Sequence, residues 1–337
     1  MNGKRWAALG IAVALLIFSI VTNAFSAFFS KDFQATMDGI MNPTSGTVME
    51  EVIEDGNLMK KIAVLDVNGA IQDTGETSPI FSTGGYNHQA FLESLNYAKE
   101  DSAVKGIIIR VNTPGGGVVE SAQIHDKIVE IQKEAKKPVY ISMGSMAASG
   151  GYYISASADK IFASPETLTG SLGVIMQGIN YAGLAEKYGV KFETIKSGEF
   201  KDIMSPSREM TEAERNILQE MIDNSYNGFV KVISDGRGIP QEEVKRIADG
   251  RIYDGRQAKE LKLIDDFGYF ETVVDVMKKD HKLDDAQVVG YTEDLGFGSL
   301  FSMGARQLMG QETHELAGLV KQLSQQNSPR LMYLYAE

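Results

Sequence analysis

Short apolar runs alternate along this chain with segments in which apolar residues recur every three or four positions. The runs Ile62-Ala-Val-Leu-Asp-Val67 and Gly106-Ile-Ile-Ile-Arg-Val111 are rich in β-branched residues. Such continuous runs predict strands that are buried on both faces. Between them, Phe91, Leu95 and Ala98 recur at helical spacing. The alternation of the two patterns predicts an α/β fold.

The same alternation continues beyond residue 117. A helix is predicted to open at Val118, and Thr211 with Glu214 forms a capping box that begins the longest helix, which runs to about Ser234. We assign to the core the apolar stripe of that helix: Ile217, Leu218, Met221, Ile222, Phe229 and Ile233. Further strands are predicted at 138–142, 160–163, 173–177 and 192–195, and further helices at 152–158, 181–188, 241–249, 255–262 and 270–279.

The N-terminal region contains an uncharged apolar stretch that is long enough to cross a bilayer. Trp6 to Phe29 carries no charge and follows Lys4-Arg5 directly. Roughly 20 apolar residues span a membrane, and basic residues stay on its cytoplasmic side. We therefore predict a retained anchor with a cytoplasmic N-terminus, which leaves everything after Lys31 outside the cytoplasm. The alternatives are a signal peptide cleaved near Ala24-Phe-Ser26 and a core helix of a soluble protein.

Composition divides the chain into four parts. We predict a transmembrane anchor at 1–30, a flexible polar stalk at 31–60, an α/β domain at 61–295 and a C-terminal segment at 296–337. The stretch from Gln322 to Pro329 is polar and is expected to be mobile.

Net charge and cysteine content exclude several classes of function. The chain of 337 residues carries a net charge of −12, which disfavours nucleic acid and anionic lipid headgroups as ligands. It contains no cysteine, which excludes disulfides, thiolate nucleophiles and cysteine-ligated metals. We expect no metal ion and no cofactor.

Two small-residue turns carry candidate chemistry. Ser149, in Met143-Gly-Ser-Met-Ala-Ala-Ser-Gly-Gly151, lies where a predicted strand passes into a helix. Such a turn raises a hydroxyl above the chain and leaves backbone N–H groups free to stabilise an oxyanion, although the same residues also suit a plain packing loop. Pro114-Gly-Gly-Gly117 has the same design and alone equally fits a loop or a phosphate cradle. No Lys-Ser/Thr pair follows it, so a P-loop is unsupported.

A serine nucleophile needs a general base. The four histidines, His88, His125, His281 and His314, do not follow Ser149 at a suitable distance. The remaining option is a lysine, whose pKa must fall by about 2–3 from about 10.4 through burial. Several lysines compete, namely Lys137, Lys160, Lys187, Lys191, Lys196 and Lys201. The residues alone do not decide between Lys196 and Lys201.

Several motifs, in the same order, resemble those of the signal peptide peptidase A family in its short, single-module form. The resemblance runs from about Ile62 to Phe270, and the apolar N-terminal stretch also fits the family. The motifs are Asn112-Thr-Pro-Gly-Gly-Gly117, Gly144-Ser-Met-Ala-Ala-Ser-Gly-Gly-Tyr-Tyr153, Thr167-Leu-Thr-Gly-Ser-Leu-Gly-Val174, Lys196-Ser-Gly-Glu-Phe-Lys-Asp202, Ser205-Pro-Ser-Arg208 and Ile252-Tyr-Asp-Gly-Arg256.

The resemblance implies a membrane-anchored serine protease with a Ser/Lys dyad on a Clp-protease/crotonase-like fold. It assigns Ser149 as nucleophile, Lys201 as general base, and the N–H groups of Gly116 and Gly150 as the oxyanion hole. It also implies that Ser171 orients the lysine amine. Members of this family donate serine and lysine from adjacent modules, so a single-module chain is expected to form a ring with sites shared between protomers.

The implied substrates are remnant signal peptides. Three alternatives remain open at this stage: a related Ser/Lys peptidase that cuts other membrane proteins, a crotonase-like acyl-CoA enzyme, and a non-catalytic scaffold with the same fold. Coenzyme A is a cytosolic ligand, so an exported domain argues against the acyl-CoA enzyme.

Overall fold

The computed structural model describes residues 48–73, 86–293 and 330–335. Its strands are β1 (Val48–Glu54), β2 (Asn57–Asn68), β3 (Val104–Thr113), β4 (Gly115–Gly117), β5 (Val139–Ala148), β6 (Lys160–Ala163), β7 (Leu168–Gly170), β8 (Ile252–Tyr253), β9 (Asp266–Phe267), β10 (Ala286–Glu293) and β11 (Met332–Leu334). Its helices are α1 (His88–Glu100), α2 (Val118–Glu130, continued by a π-helical turn over Ile131–Ala135), α3 (Gly150–Ser155), α4 (Ala182–Lys187), α5 (Glu212–Arg237), α6 (Gln241–Ile247), α7 (Gly255–Glu260) and α8 (Phe270–His281).

A mixed nine-stranded sheet, in the order β1-β10-β2-β3-β5-β6-β9 with β7 and β8 branching from β5, organises these residues. The central strands β2, β3, β5 and β6 run parallel. Successive residues of β3 enter different cores, since Ile107 and Ile109 pack among residues of α1 and α2 whereas Ile108 packs against α8. This alternation confirms the predicted α/β fold with strands buried on both faces.

The edge of the sheet differs from the sequence-based prediction. The stalk predicted over 31–60 is wrong for its last part, because residues 48–54 form β1 and residues from Asn57 belong to β2. β1 pairs antiparallel with β10, yet most of its side chains are exposed. Backbone pairing rather than side-chain burial holds this strand, so the pattern of apolar residues carried no signal for it.

Two of the predicted strands are absent between β7 and α5. Residues 192–195 are irregular and exposed, and the strand predicted at 173–177 is reduced to one isolated bridge at Ile175. The apolar stripe of α5 is also divided, since Phe229 and Ile233 are buried whereas Ile217 and Met221 are exposed. No described residue from Gly173 to Ala213 is buried, so most apolar side chains of this connection lie outside the core.

The terminal predictions meet the structure only in part. Among the described residues, no helix combines the length and apolarity that crossing a bilayer requires. Residues 1–47 lie outside the described residues, and with them the anchor predicted from Trp6 to Phe29. The polar stretch 322–329 lies outside them as well. The C-terminal segment predicted to end in a mobile tail contains the ordered strand β11, which pairs with β4.

Candidate active site

Ser149 occupies a sharp turn between β5 and α3. Its backbone has φ 52° and ψ −111°, a conformation that costs a non-glycine residue about 1–3 kcal/mol and that surrounding structure must enforce. Two backbone hydrogen bonds hold the turn: the Ser149 N–H donates to the Gly170 carbonyl at 2.8 Å, and its carbonyl accepts from the Tyr153 N–H at 2.9 Å. Strain of this kind at a buried serine is typical of a functional site.

The hydroxyl of Ser149 has no hydrogen-bond partner among the described residues, although the side chain is only 1% exposed. An unpaired buried hydroxyl costs about 1–3 kcal/mol, so most native hydroxyls find a partner. The Ser149 hydroxyl is therefore buried and unpaired among the described residues.

The glycine turn at β4 lies directly against Ser149. A Cβ atom on Gly150 would lie 3.1 Å from the Gly116 nitrogen, and a Cβ atom on Gly115 would lie 2.7 Å from the Gly150 nitrogen. Gly115 adopts φ +105°, and its N–H donates a 3.0 Å bond to the Thr113 hydroxyl. The two amides assigned to the oxyanion hole, those of Gly116 and Gly150, are thus neighbours around one small space that side chains would fill.

Strand β11 lies in the cleft beside this space. It pairs antiparallel with β4 so that Tyr333 faces Gly116, and Met332 exchanges two backbone hydrogen bonds of 3.0 Å with Ile175 on the other side. Bonds from Tyr335 N–H to the Pro114 carbonyl at 2.9 Å and from Val118 N–H to the Leu331 carbonyl at 3.4 Å extend the pairing. An extended segment of the protein's own chain is therefore held between two backbone edges.

The carbonyl of Tyr333 reaches the amides of the glycine turn. The bonded pairs at Leu331 and Tyr335 lie two positions away on either side of Tyr333. Because bonded and non-bonded pairs alternate along an antiparallel ladder, Tyr333 and Gly116 form a bonded pair as well. A Cβ atom on Gly115 would lie 2.1 Å from the Tyr333 carbonyl oxygen, and one on Gly150 would lie 3.1 Å from it. A peptide carbonyl thus already occupies the position between Gly116 and Gly150.

The side chain of Tyr333 fills an aromatic pocket beneath this carbonyl. Its ring stacks on Tyr153 with centroids 4.7 Å apart and lies 4.7 Å from the ring of Phe229. Its hydroxyl donates to the Ser225 carbonyl at 3.2 Å, and the side chain is almost wholly buried. Burial raises the pKa of the Tyr333 phenol, so the group stays neutral and donates at all physiological pH values.

Ser171 follows β7 at the other side of the Ser149 turn. It is 8% exposed with φ 50°, and its N–H donates to the Arg251 carbonyl at 2.7 Å. Ser171 lines a cavity of about 410 Å³ together with Ile175, Asp249 and Leu334. Its side chain therefore faces a space that another group can enter.

Lys201 lies on the long connection between β7 and α5. No residue from Gly173 to Ala213 is buried, and the Lys201 side chain is exposed with no hydrogen bond or ion pair to another described residue. Because the Ser149 hydroxyl has no partner, the described residues of one chain do not join it to the Lys201 amine. The Lys196 amine bonds to Asp202 at 2.6 Å and is not bonded to the Ser149 hydroxyl either.

Sequence reasoning missed the aromatic pocket and strand β11. The run Leu331-Met-Tyr-Leu-Tyr335 follows a polar stretch and is rich in residues that favour strands, which was the available signal. Its pairing with β4 joins residues more than 200 positions apart, so no local pattern could reveal it.

Comparison with known proteins shows which families the chain resembles. The model of peptidase family S49 matches residues 131–284, and the Clp protease family model matches residues 81–170. An Enterococcus faecium protein named "Putative signal peptide peptidase SppA" is 43% identical over 99% of both chains. The chain belongs to peptidase family S49. The resemblance read from the motifs is confirmed at this level, and with it the Clp-protease-like fold.

Other relatives are proteases of different length. A Synechocystis protein named "Putative protease slr0021" is 42% identical over 62% of this chain and 70% of its own. Protease 4 of Haemophilus influenzae is 32% identical over 80% of this chain but only 44% of its own length. This S49 protein thus corresponds to about half of the longer protease.

Proposed function

We propose that this S49 protein is a membrane-anchored serine endopeptidase that hydrolyses remnant signal peptides through a Ser/Lys dyad and an acyl-enzyme intermediate. One observation carries the proposal: the protein's own segment from Leu331 to Tyr335 lies extended across the cleft, with a peptide carbonyl against the amides of Gly116 and Gly150. Substrate peptides adding to a backbone edge would bind in the same manner.

The chemistry begins at Ser149. A neutral Lys201 amine takes the proton of the hydroxyl as the oxygen attacks the peptide carbonyl, and the amides of Gly116 and Gly150 stabilise the oxyanion. As the tetrahedral intermediate collapses, the C–N bond breaks and the lysine returns the proton to the leaving amine. The same lysine then deprotonates a water that hydrolyses the ester and restores Ser149. Ser171 orients the amine from the cavity beside the turn.

We place serine and lysine of one site on adjacent protomers of a ring. Two observations support this: the Ser149 hydroxyl has no partner among the described residues, and the connection that carries Lys201 has no buried residue. That connection exposes apolar side chains, among them Ile179, Tyr188 and Ile195. An exposed apolar surface of this kind marks an interaction site, and a neighbouring protomer would cover it.

The membrane location rests on residues 6–29 and on Lys4-Arg5. We place the N-terminus in the cytoplasm and the catalytic domain outside it, with the anchor in the bilayer. Remnant signal peptides are apolar, short and extended, so the acidic surface of the domain does not repel them. A peptidase that cuts other membrane proteins near their lipid boundary remains the alternative within the same mechanism.

The dyad is tested with full-length protein in detergent and a quenched fluorescent peptide rich in leucine and alanine. Ser149→Ala and Lys201→Ala should each reduce turnover to background with unchanged melting temperature, whereas Lys196→Ala should retain it. Turnover by either dyad variant contradicts the mechanism. A substrate that is hydrolysed only as an acyl-CoA thioester would instead favour the crotonase-like alternative.

Sharing of the site is tested by mixing the two inactive variants. Protomers of Ser149→Ala and Lys201→Ala are co-purified through different tags, so that mixed assemblies are isolated. Recovery of about a quarter of the wild-type rate is expected if random assembly pairs an intact serine with an intact lysine. No recovery after proven co-assembly contradicts shared sites.

A further inference from the structure

The side chain of Arg208 connects the turn that carries Lys201 to the first turn of α5. Its Nε donates to Asp202 Oδ2 at 2.9 Å, and its Nη2 donates to Asp202 Oδ1 at 2.8 Å. Nη2 also reaches the main-chain carbonyl of Asp202 at 3.1 Å. The guanidinium therefore donates hydrogen bonds to both the side chain and the backbone of Asp202, the residue that follows Lys201.

At its other end the same guanidinium is anchored to Glu214. Nη1 donates to Glu214 Oε2 at 2.8 Å, and Nη2 bonds to Glu214 Oε1. The Glu214 carboxylate is buried and also accepts the Thr211 N–H at 2.9 Å, as part of the capping box of α5. These bonds, with that from Arg208 the strongest, lower the pKa of Glu214 to about 2. The Glu214 carboxylate, which holds Arg208, is thus ionised and fixed to a helix.

Helix α5 supplies the rigid end of this connection. It contains 26 residues, and Phe229, Val230 and Ile233 of its last turns are buried in the main core. Phe229 also contacts the ring of Tyr153, which follows Ser149 on α3. A group fixed to the first turn of α5 is therefore fixed relative to the domain.

Hydrophobic packing among the described residues does not fix the position of Lys201. No residue from Gly173 to Ala213 is buried, so the connection has no apolar core of its own. Lys196 adds a 2.6 Å bond from its amine to Asp202, but it belongs to the same exposed turn. Only Arg208 joins the Asp202 peptide to a buried group of α5 among the described contacts.

The charges of this cluster are also balanced. The Asp202 carboxylate accepts from two cations, Arg208 and Lys196, whose bonds hold its pKa well below the usual range. An Asp202 without these partners would be free to pair with the adjacent Lys201 amine and favour its charged form. A general base must lose that charge, so the pairing of Asp202 elsewhere suits the proposed role of its neighbour.

We propose that Arg208 is a positioning residue for the general base, which acts by fixing the Asp202 peptide on Glu214 and so the direction in which the Lys201 side chain leaves the connection. The inference rests on the proposed role of Lys201. Arg208 would not touch the substrate, because the peptide cleft is formed by β4, Ile175 and the aromatic pocket. Its loss should therefore change the chemical step and leave peptide binding intact.

The first test is the steady-state kinetics of Arg208→Lys in the full-length protein. Lysine keeps the charge, but it lacks the planar guanidinium that donates to the carboxylates of Asp202 and Glu214 at the same time. We expect kcat to fall by about tenfold to hundredfold, since misplacing a reacting group by about 1 Å has effects of this size. KM for the peptide should stay within about twofold of wild type.

Two matched controls accompany this variant. Arg256→Lys makes the same replacement in the exposed pair of Arg256 with Glu166 and should leave kcat unchanged. Lys196→Ala removes the second cation from Asp202 while the Arg208 fork stays, and should have little effect. If Arg208→Lys fails to fold, Asp202→Asn takes its place. It weakens the bonds between Arg208 and Asp202 without removing Arg208, so kcat should fall as well, but by a smaller factor.

A second test asks whether the defect belongs to the half of the site that supplies lysine. Arg208→Ala protomers are mixed with Ser149→Ala protomers and, separately, with Lys201→Ala protomers. The first mixture should recover activity, because intact serines meet an intact lysine connection. The second mixture should not recover activity, because no protomer in it carries both Lys201 and Arg208.

The outcomes separate this inference from the proposed function. If Lys201→Ala retains turnover, the proposed dyad fails and the role of Arg208 fails with it. If Lys201→Ala is inactive but Arg208→Lys keeps the wild-type kcat, or changes KM alone, only the positioning role is overturned. Recovery of activity in the mixture of Arg208→Ala with Lys201→Ala overturns it as well. If the control mixture of Ser149→Ala with Lys201→Ala shows that sites are not shared, the kcat of Arg208→Lys decides alone.

Discussion

Tyr333, four residues before Glu337, stacks on Tyr153, four residues after the strained Ser149, with ring centroids 4.7 Å apart. The contact places a carbonyl of the C-terminal strand beside the glycine turn and its side chain in the pocket formed with Phe229. The cleft beside the amides of Gly116 and Gly150 thus holds an extended segment of the protein's own chain.

Removing residues 330–337 should increase the activity on short peptides. A segment attached to the same chain competes at an effective concentration in the millimolar range. The apparent KM for a free peptide should therefore fall several-fold, whereas kcat should stay constant. Tyr333→Ala should act in the same direction, and Arg330→Ala, which changes an exposed side chain, serves as control. An unchanged apparent KM in both shortened and Tyr333→Ala proteins would contradict occupancy of the cleft in solution.

Gly115→Ala should abolish activity. The new Cβ would lie 2.1 Å from the position of a bound peptide carbonyl oxygen, at a residue with φ +105°. Blocking the contact between carbonyl and amides should lower kcat/KM by at least about 100-fold, which is the usual effect of losing one oxyanion donor.

The matched control for that change is Gly228→Ala on α5, where no atom lies within 4 Å of the added Cβ. Alanine in a helix interior should raise stability by about 0.5–1 kcal/mol and leave kcat/KM unchanged. Thermal melting and peptide hydrolysis are measured on both variants. Activity in Gly115→Ala that matches Gly228→Ala would exclude the proposed oxyanion site.

The stabilising effect of Glu214 should depend on pH. Bonding to Arg208 and Thr211 lowers its pKa from 4.5 to about 2, so this contribution is complete above about pH 4.5 and is lost as the pH falls toward 2. Glu214→Gln should therefore unfold at a lower urea concentration than wild type at pH 6, and the difference should shrink at pH 3. A difference between the two proteins that does not change with pH would contradict this interpretation.

Charges introduced into the exposed connection should prevent assembly. Ile179 is 73% exposed, and the exposure of Ile195 is the largest of the apolar side chains described. Ile179→Asp combined with Ile195→Asp should shift the protein to a monomer in light scattering and abolish peptide hydrolysis without lowering the melting temperature. Leu58→Asp, at a residue of β2 that is 65% exposed, is the control. A double variant that still forms the wild-type assembly would contradict an interface at this connection.

Much of the fold was predictable because its elements have local signals. The β-branched run Gly106–Val111 predicted the central strand β3, and the capping box of Thr211 and Glu214 predicted the first residue of α5. Predictions failed where a segment lacks a core. The apolar residues at 192–195 suggested a strand, but none of the described strands pairs with them, and their side chains are exposed.

The sequence by itself determined the alternation of strands and helices, the order of the S49 motifs and the identity of the small residues around Ser149, since all of these depend on neighbours along the chain. Tertiary structure alone decided that β11 lies on β4 and that Tyr333 enters the pocket of Tyr153 and Phe229. It also decided that the Ser149 hydroxyl has no partner among the described residues. The physical reason is that these relationships join residues far apart in the chain through backbone pairing and ring packing, and pairing of backbone groups leaves no mark on the order of side chains.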